Sequence, residues 1–247
     1  MAQSTHMSQF FPHKFEAFPE EKEKFERVFN EYHRVHGEPS DPIRILNFMQ
    51  YVNIANDAPD GDYLELGTHQ GFAAKVIWEF MDRSKNFYCL DTFEGFQEVD
   101  LVEERKVYAN NWEVGNFPPT SPESVKAYIT HESDTSLHMI KGWFPEAFKE
   151  HEDKKWRFVH IDFDLYAPIK SALEILWDKI VPGGVCMIHD YGCYGFPGAK
   201  KAVDEFFNPR GIVPHVATDR WGTAIIVKST QSSKGEVFSR LRSLFRF

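Results

Sequence analysis

Two rhythms alternate along most of this chain. Short apolar runs rich in Leu, Ile, Val, Phe and Tyr are separated by stretches whose apolar residues return every three or four positions, the strand and helix signatures respectively. Residues up to about Phe11 are polar and expected to be loose. Residues 20–34 predict a charged helix with Phe25, Val28 and Phe29 on one stripe, ending before Gly37-Glu-Pro-Ser40. Asp41-Pro42 is a cap followed by a first-turn proline and opens a second helix that places Ile45, Phe48, Met49 and Val52 on one face. Beyond it the pattern predicts strands at 63–66, 87–90, 137–141, 156–161, 185–188, 213–217 and 223–227. Helices are expected between them at 72–81, 99–108, 122–129, 146–150, 168–180 and 198–207, with Pro182-Gly-Gly184 as a turn and a basic helix at 236–247.

This succession predicts an α/β fold: a seven-stranded, mostly parallel sheet with right-handed crossovers and helices on its faces. The expected organisation is an N-terminal helical extension over 1–58, packed on a single domain over 59–230, and a basic segment over 231–247. The first helix is expected to pack on its own domain, with a dimer contact as the sharper alternative. The 92–119 stretch mixes charged and aromatic residues and reads either as a lid over a ligand or as a solvated excursion.

Composition narrows the function classes. A formal charge of -9 argues against a general nucleic-acid binder. No apolar run is long enough to span a membrane, and the N-terminus lacks a secretory pattern. Cys89, Cys186 and Cys193 show no metal-type spacing, and the first two fall in predicted strands as small buried residues. These features together fit a reducing cytoplasm.

Candidate chemistry begins at Asp62-Tyr-Leu-Glu-Leu-Gly-Thr-His-Gln-Gly71, where a strand ending in an acid is followed by Gly67 and Gly71 at a helix start. Phe87-Tyr-Cys-Leu-Asp91 is a second strand with an acidic tip. In a doubly wound sheet this pair grips a nucleoside: glycines admit the ligand or the turn, and the second acid accepts from ribose hydroxyls. The middle glycine of a dinucleotide motif is missing and the loop carries Thr68, His69 and Gln70. A ligand without a pyrophosphate, of which S-adenosylmethionine is the usual one, fits better. An ordinary strand–turn–helix with an incidental acid is the plain alternative.

The remaining strand tips are also charged: Lys141-Gly142, Asp162 with Asp164, and His189 with Asp190. Ligands of open α/β sheets bind at those ends, and a fold needing only stability would not place an ionisable residue at nearly every one. Asp162, Asp164, His189 and Asp190 read three ways. They could hold a divalent cation in an oxygen-rich shell, act as a metal-free pair with Asp162 as base and His189 as hydrogen-bonding partner or base, or merely cap the following helices.

From about Asp62 to Phe207 the chain resembles the macrocin O-methyltransferase family of class I S-adenosylmethionine-dependent enzymes. The resemblance rests on Glu65-Leu-Gly67 with Gly71, Asp91-Thr-Phe-Glu-Gly95, Lys141-Gly-Trp-Phe144, Asp162-Phe-Asp-Leu-Tyr166, Pro182-Gly-Gly184, His189-Asp-Tyr-Gly192 and Ala202-Val-Asp-Glu-Phe206. It implies a Rossmann-like class I methyltransferase fold and methylation of hydroxyls on sugar or aromatic parts of secondary metabolites, several members using magnesium. It implies that Glu65, Gly67 and Gly71, with Thr68, surround the donor's methionine and ribose. Asp91, with Thr92, would hold the ribose diol, and Gly142, Trp143 and Phe144 would lie near the adenine. Asp162 would contact the donor and serve as metal ligand and base, with Asp190 a further ligand. The family's Asp-Asp-Tyr is here His189-Asp190-Tyr191; a histidine suits manganese or another transition metal better than magnesium. That change also leaves His189 able to act as base, and Asp164 able to replace the missing carboxylate.

The expected partner is a small-molecule hydroxyl acceptor, with no nucleic acid or membrane and with a homodimer or higher homo-oligomer as an option. Phe93, Phe96, Tyr108, Trp112, Phe117, Tyr191, Tyr194 and Phe196 are candidates for the acceptor pocket. Alternatives are a metal-independent N- or C-methyltransferase, a non-methylating protein that binds the same donor, a nicotinamide-dependent oxidoreductase and a non-catalytic partner module.

Overall fold

The computed structural model describes residues 19–36, 41–117, 119–130 and 134–229; the expectations for the first residues and for a helix at 236–247 lie outside them. The chain runs α1 (Pro19–His36), α2 (Pro42–Asn56), β1 (Asp62–Leu66), α3 (Phe72–Phe80), β2 (Phe87–Asp91), α4 (Glu98–Val107), α5 (Pro122–Ile129), β3 (Leu137–Lys141), β4 (Trp156–Ile161), α6 (Tyr166–Leu176), β5 (Ile180–Ile188), α7 (Pro197–Phe207), β6 (His215–Val216) and β7 (Ala224–Val227). A 3₁₀ helix at Glu146–His151 replaces the short α-helix expected there. The sheet order is β3-β2-β1-β4-β5-β7-β6, parallel through β5 and antiparallel over β5, β7 and β6.

Strand side chains alternate between faces, and this divides the core in two. Tyr63, Phe87, Phe158 and Met187 pack with α1, α2, α3 and α5 on one face. Leu64, Leu66, Leu90, Ile161 and Ile188 pack with α4, α6 and α7 on the other. The N-terminal helices therefore close one side of the sheet: Phe25 and Val28 of α1 and Ile45, Phe48, Met49 and Val52 of α2 are buried. Asp41 caps α2 by accepting from the Ile43 amide at 2.9 Å. Cys89 and Cys186 are buried free thiols, and burial pushes Cys186 up to about 12. No helix among the described residues is long and apolar enough to cross a membrane.

Two predicted boundaries differ for identifiable reasons. Pro182-Gly-Gly184 is not a turn before β5 but a bulge within it, between the pairs Trp156–Ile180 and Phe158–Val185. Gly183 adopts φ +83°, and its amide donates to the Lys228 carbonyl at 2.8 Å, so the bulge extends the pairing towards β7. Helix α6 begins at Tyr166 rather than 168 because its cap comes from far away in sequence. The Glu104 carboxylate of α4 accepts from the Tyr166 amide at 2.7 Å and also faces the Gly198 amide of α7.

One buried carboxylate thus serves the first turns of two helices, neither of which has a side-chain cap of its own. A Cβ at position 198 would lie 2.4 Å from both Glu104 oxygens, so the glycine makes room for the cap. This interaction pins the 92–119 segment to the body of the fold. Glu104→Ala is expected to lower the unfolding free energy by about 2–3 kcal/mol in urea titrations, whereas Glu103→Ala, whose Lys106 ion pair is exposed, should stay within about 0.5 kcal/mol.

Candidate active site

In this parallel sheet the chain steps from β1 outwards to β2 and β3, then returns to β4 on the other side of β1. The loops leaving β1 and β4 must separate at that switch point, and a cleft opens there. Leu66 pairs with Leu90 and Ile161, Asp91 with Lys141, and Ile161 with Ile188, so the strand tips share one rim. A cleft of about 560 Å³ lies along it, bordered by Gly67, Asp91, Gly142, Asp162, His189 and Asp190. A smaller hollow of about 240 Å³ adjoins it at the start of α3 and shares Arg44, Gly67, His69 and Asp162 with the larger one.

Among the described residues, non-glycine positive φ occurs only here. Five non-glycine residues have positive φ (His69, Phe93, Phe117, Asp164 and Asp190), and all five line the cleft. Such conformations cost about 1–3 kcal/mol each and persist where the surroundings over-determine them. Two of them organise Asp91, whose carboxylate accepts from the His69 amide at 2.8 Å and the Phe93 amide at 2.6 Å. The aspartate is held as an oriented acceptor at the cleft wall.

Of the sequence-predicted donor residues, Gly67, Asp91, Thr92, Gly142, Trp143, Phe144 and Asp162 line the large cleft, and Thr68 lines the small hollow. Glu65 and Gly71 line neither. Glu65 is 1% exposed and points to the opposite face of the sheet from Leu66, where its Oε1 lies 3.0 Å from Nδ1 of His160 on β4. Burial raises the Glu65 carboxyl well above its ordinary range and pushes His160 down to about 3, so the two form a neutral pair beneath the rim. Gly71 precedes α3 at φ +84°, and a Cβ there would lie 2.8 Å from Val125 Cγ1; its role is the turn and the seat of α5. Gly67 is required by the chain itself: a Cβ would lie 2.0 Å from the Asp162 carbonyl oxygen.

Asp162, Asp164, His189 and Asp190 converge, with ligand atoms all within 4.8 Å of one another. His189 Nδ1 lies 2.8 Å from Asp162 Oδ1 and 3.1 Å from Asp190 Oδ2, while its buried Nε2 has no protein partner. Burial and the nearby Arg44 press the imidazole towards neutrality, but Asp162 and Asp190 outweigh them and raise its pKa. Burial acts against ionised Asp162, yet His189 and Arg44 overcome it and hold the carboxyl well below its ordinary range. Asp164 goes the other way, raised well above its range by burial and by Asp190. Three carboxylates crowded round one imidazole, one of them forced towards its acid form, are a donor set that fits a divalent cation. The capping reading fails, because the N-cap positions of α6 and α7 are Leu165 and Phe196, and none of these residues caps either helix.

Arg44 escaped the sequence reading. It is the only charged residue of α2, on an otherwise apolar helix, and its Nη2 donates to Asp162 Oδ2 at 2.8 Å. That lone charge was the available signal. The 92–119 segment lines the cleft rather than making a solvated excursion. Phe96, Trp112 and Phe117 meet Phe196 in an aromatic wall, with Trp112 and Phe196 stacked at 4.8 Å and Phe96 and Phe117 edge-on at 5.0 Å. Phe93 also lines the cleft, whereas Tyr108, Tyr191 and Tyr194 do not; Phe163 and Trp221 do, and were missed. Across the cleft, Trp143 Nε1 donates to Asp100 Oδ2 at 2.9 Å, tying α4 to the β3 tip.

A family model described as Macrocin-O-methyltransferase matches residues 43–225. The mycinamicin III 3''-O-methyltransferase of Micromonospora griseorubida is 25% identical over 190 residues, covering 72% of this chain and 74% of that protein. The 8-demethyl-8-(2,3-dimethoxy-alpha-L-rhamnosyl)-tetracenomycin-C 4'-O-methyltransferase of Streptomyces olivaceus is 24% identical over 204 residues, covering 77% and 75%. Among solved structures, the O-methyltransferase NovP superposes with a TM-score of 0.62 at 23% identity, covering 76% of this chain and 80% of that one. The fold is the Rossmann-like class I methyltransferase fold.

Burial raises Asp100 to about 6, opposed by the Trp143 hydrogen bond. The folded state therefore keeps this proton up to about pH 6, while an ordinary aspartate releases it near 3.8. Folding binds a proton across that window, so this group's contribution to stability falls as pH rises from about 4 to 6. Melting curves of Asp100→Asn are expected to lose that component, its Tm gaining on wild type as pH rises from 4 to 6; parallel Tm profiles would remove the assignment.

Proposed function

The chain belongs to the macrocin O-methyltransferase family and is an S-adenosylmethionine-dependent methyltransferase; from that premise we propose that it methylates a hydroxyl on a sugar or phenolic part of a secondary metabolite. The observation that carries this reading is the meeting, in one cleft, of an oriented ribose-type acceptor, an acid–imidazole cluster and an aromatic wall. One relative's name describes a 4'-O-methyltransferase of a rhamnosyl-bearing tetracenomycin, a kind of acceptor that an aromatic wall suits by stacking on rings or on sugar C–H faces.

Asp91 would receive the ribose diol, with Gly67, Thr68 and Thr92 around it. Trp143 and Phe144 would flank the base at the β3 tip. Methyl transfer is an in-line displacement at the carbon of a sulfonium, so the main contribution of these walls is alignment. The acceptor's proton would pass to Asp162 or His189, which lie 2.8 Å apart. The aromatic residues exclude water, which would otherwise solvate the nucleophilic oxygen.

Asp162, Asp164, His189 and Asp190 would hold a divalent cation, magnesium or manganese. When bound, such an ion supplies Lewis-acid stabilisation of the acceptor oxygen as it loses its proton. A metal-independent course has one observation in its favour: Arg44 and His189 already neutralise Asp162.

Asp162→Asn is expected to lower kcat by about 10²- to 10⁴-fold while S-adenosylhomocysteine affinity, by calorimetry, stays within about tenfold; full turnover in this variant would reject the assignment. Dialysis against a chelator should abolish turnover on a glycoside or phenol acceptor, and magnesium or manganese should restore it. A rate indifferent to both treatments assigns proton removal to Asp162 and His189 alone.

A further inference from the structure

The turn between β6 and β7 delivers to the cleft a side chain that neither the donor nor the core accounts for. Ile188, at the tip of β5, pairs with Ala224, the first residue of β7, so the antiparallel pairing brings this turn to the rim where the parallel strands end. Hydrogen bonds fix it there. Buried Asp219 accepts from the Thr223 amide at 3.0 Å and from Asn47 Nδ2 of α2 at 3.1 Å, and the Asp41 cap of α2 also accepts from the Arg220 amide. The Gly192 amide donates to the Trp221 carbonyl at 3.1 Å, and a Cβ on Gly222, at φ +65°, would lie 2.8 Å from Gly192 Cα. The turn is thus held by its backbone and by Asp219, without help from the indole of Trp221.

That indole lines the cleft, with its ring centre 6.1 Å from that of His189. Trp221 is half-buried and, unlike Phe93, Phe96 and Phe196, packs into neither half of the core. A large apolar face beside an acid–imidazole cluster is a surface for stacking: an arene or the C–H face of a sugar covers it and leaves the ring hydroxyls to the polar cluster. We infer that Trp221 is the platform on which the ring bearing the accepting hydroxyl stacks, holding that hydroxyl beside His189. This rests on the acceptor reading given above and deepens it, because such a platform selects a cyclic acceptor with one flat apolar face. Helix α2 takes part indirectly, since Asp41 and Asn47 set where the turn stands.

Turnover of labelled S-adenosylmethionine with two probes, p-nitrophenyl α-L-rhamnopyranoside and catechol, tests this in the presence of magnesium. For a probe that wild type methylates, Trp221→Leu should raise KM about ten- to hundredfold and leave kcat within about threefold, because stacking holds ground state and transition state alike. Trp221→Phe keeps a ring, fills the site should Leu disturb the turn, and is expected to raise KM by no more than about fivefold. Affinity for S-adenosylhomocysteine, by calorimetry, should stay within about twofold in both variants. An unchanged KM in Trp221→Leu overturns the inference and leaves the acceptor reading standing. So does a fall in kcat and in S-adenosylhomocysteine affinity in step, which Phe fails to restore, since Trp221 then only supports the wall behind His189. Wild type that binds S-adenosylhomocysteine but methylates neither probe overturns the sugar-or-phenol reading together with the inference.

Discussion

The close approach of two backbones at the switch point governs the rest of the site. The Asp162 amide donates to the Leu66 carbonyl at 2.8 Å, and the Gly67 amide to the Leu90 carbonyl at 2.9 Å, so the loops leaving β1 and β4 stay laced to the sheet for one residue beyond the strands. Only a residue without a Cβ fits at position 67, because the Asp162 carbonyl occupies that space. This contact sets where Asp162 stands relative to Asp91 and His189. The glycine that looked like an opening for a ligand is first of all the point at which two strands of the protein touch.

Packing charge into such a rim has an energetic cost that must be met locally, because a buried carboxylate without partners is driven to its acid form. The structure answers in two ways. Asp162 keeps its charge through His189 and Arg44, while Glu65 and His160, one layer deeper, are driven neutral and share a hydrogen bond. The rim thus has a charged upper tier and a neutral lower one. Asp164, buried and with Asp190 and Asp162 as neighbours, is the member driven towards its uncharged acid form.

The lid-like segment is held from two directions. Glu104 docks α4 on the first turns of α6 and α7, and Asp100, one turn earlier on the same helix, ties it to Trp143 at the β3 tip. On either side of these anchors in sequence, Phe96, Trp112 and Phe117 form the aromatic wall with Phe196. The segment closes one flank of the cleft as a fixed wall, which suits a reaction that depends on alignment more than on exclusion alone.

Much of the architecture was legible along the chain, since strand alternation, helical periodicity, Asp41-Pro42 and the acidic strand tips are local signals that do not depend on distant partners. The rim carrying Asp91, Asp162, His189 and Asp190 followed from them, because every parallel strand ends at the same edge. Which face a residue such as Glu65 points to was not legible: it depends on which helices cover each side of the sheet. The same holds for Arg44, Glu104 and the Pro182-Gly-Gly184 bulge, each defined by a partner far away in sequence. Local periodicity determines what elements form and where their tips lie; only the packing of those elements decides which buried charges meet, because the partner that stabilises a buried charge can come from any part of the chain.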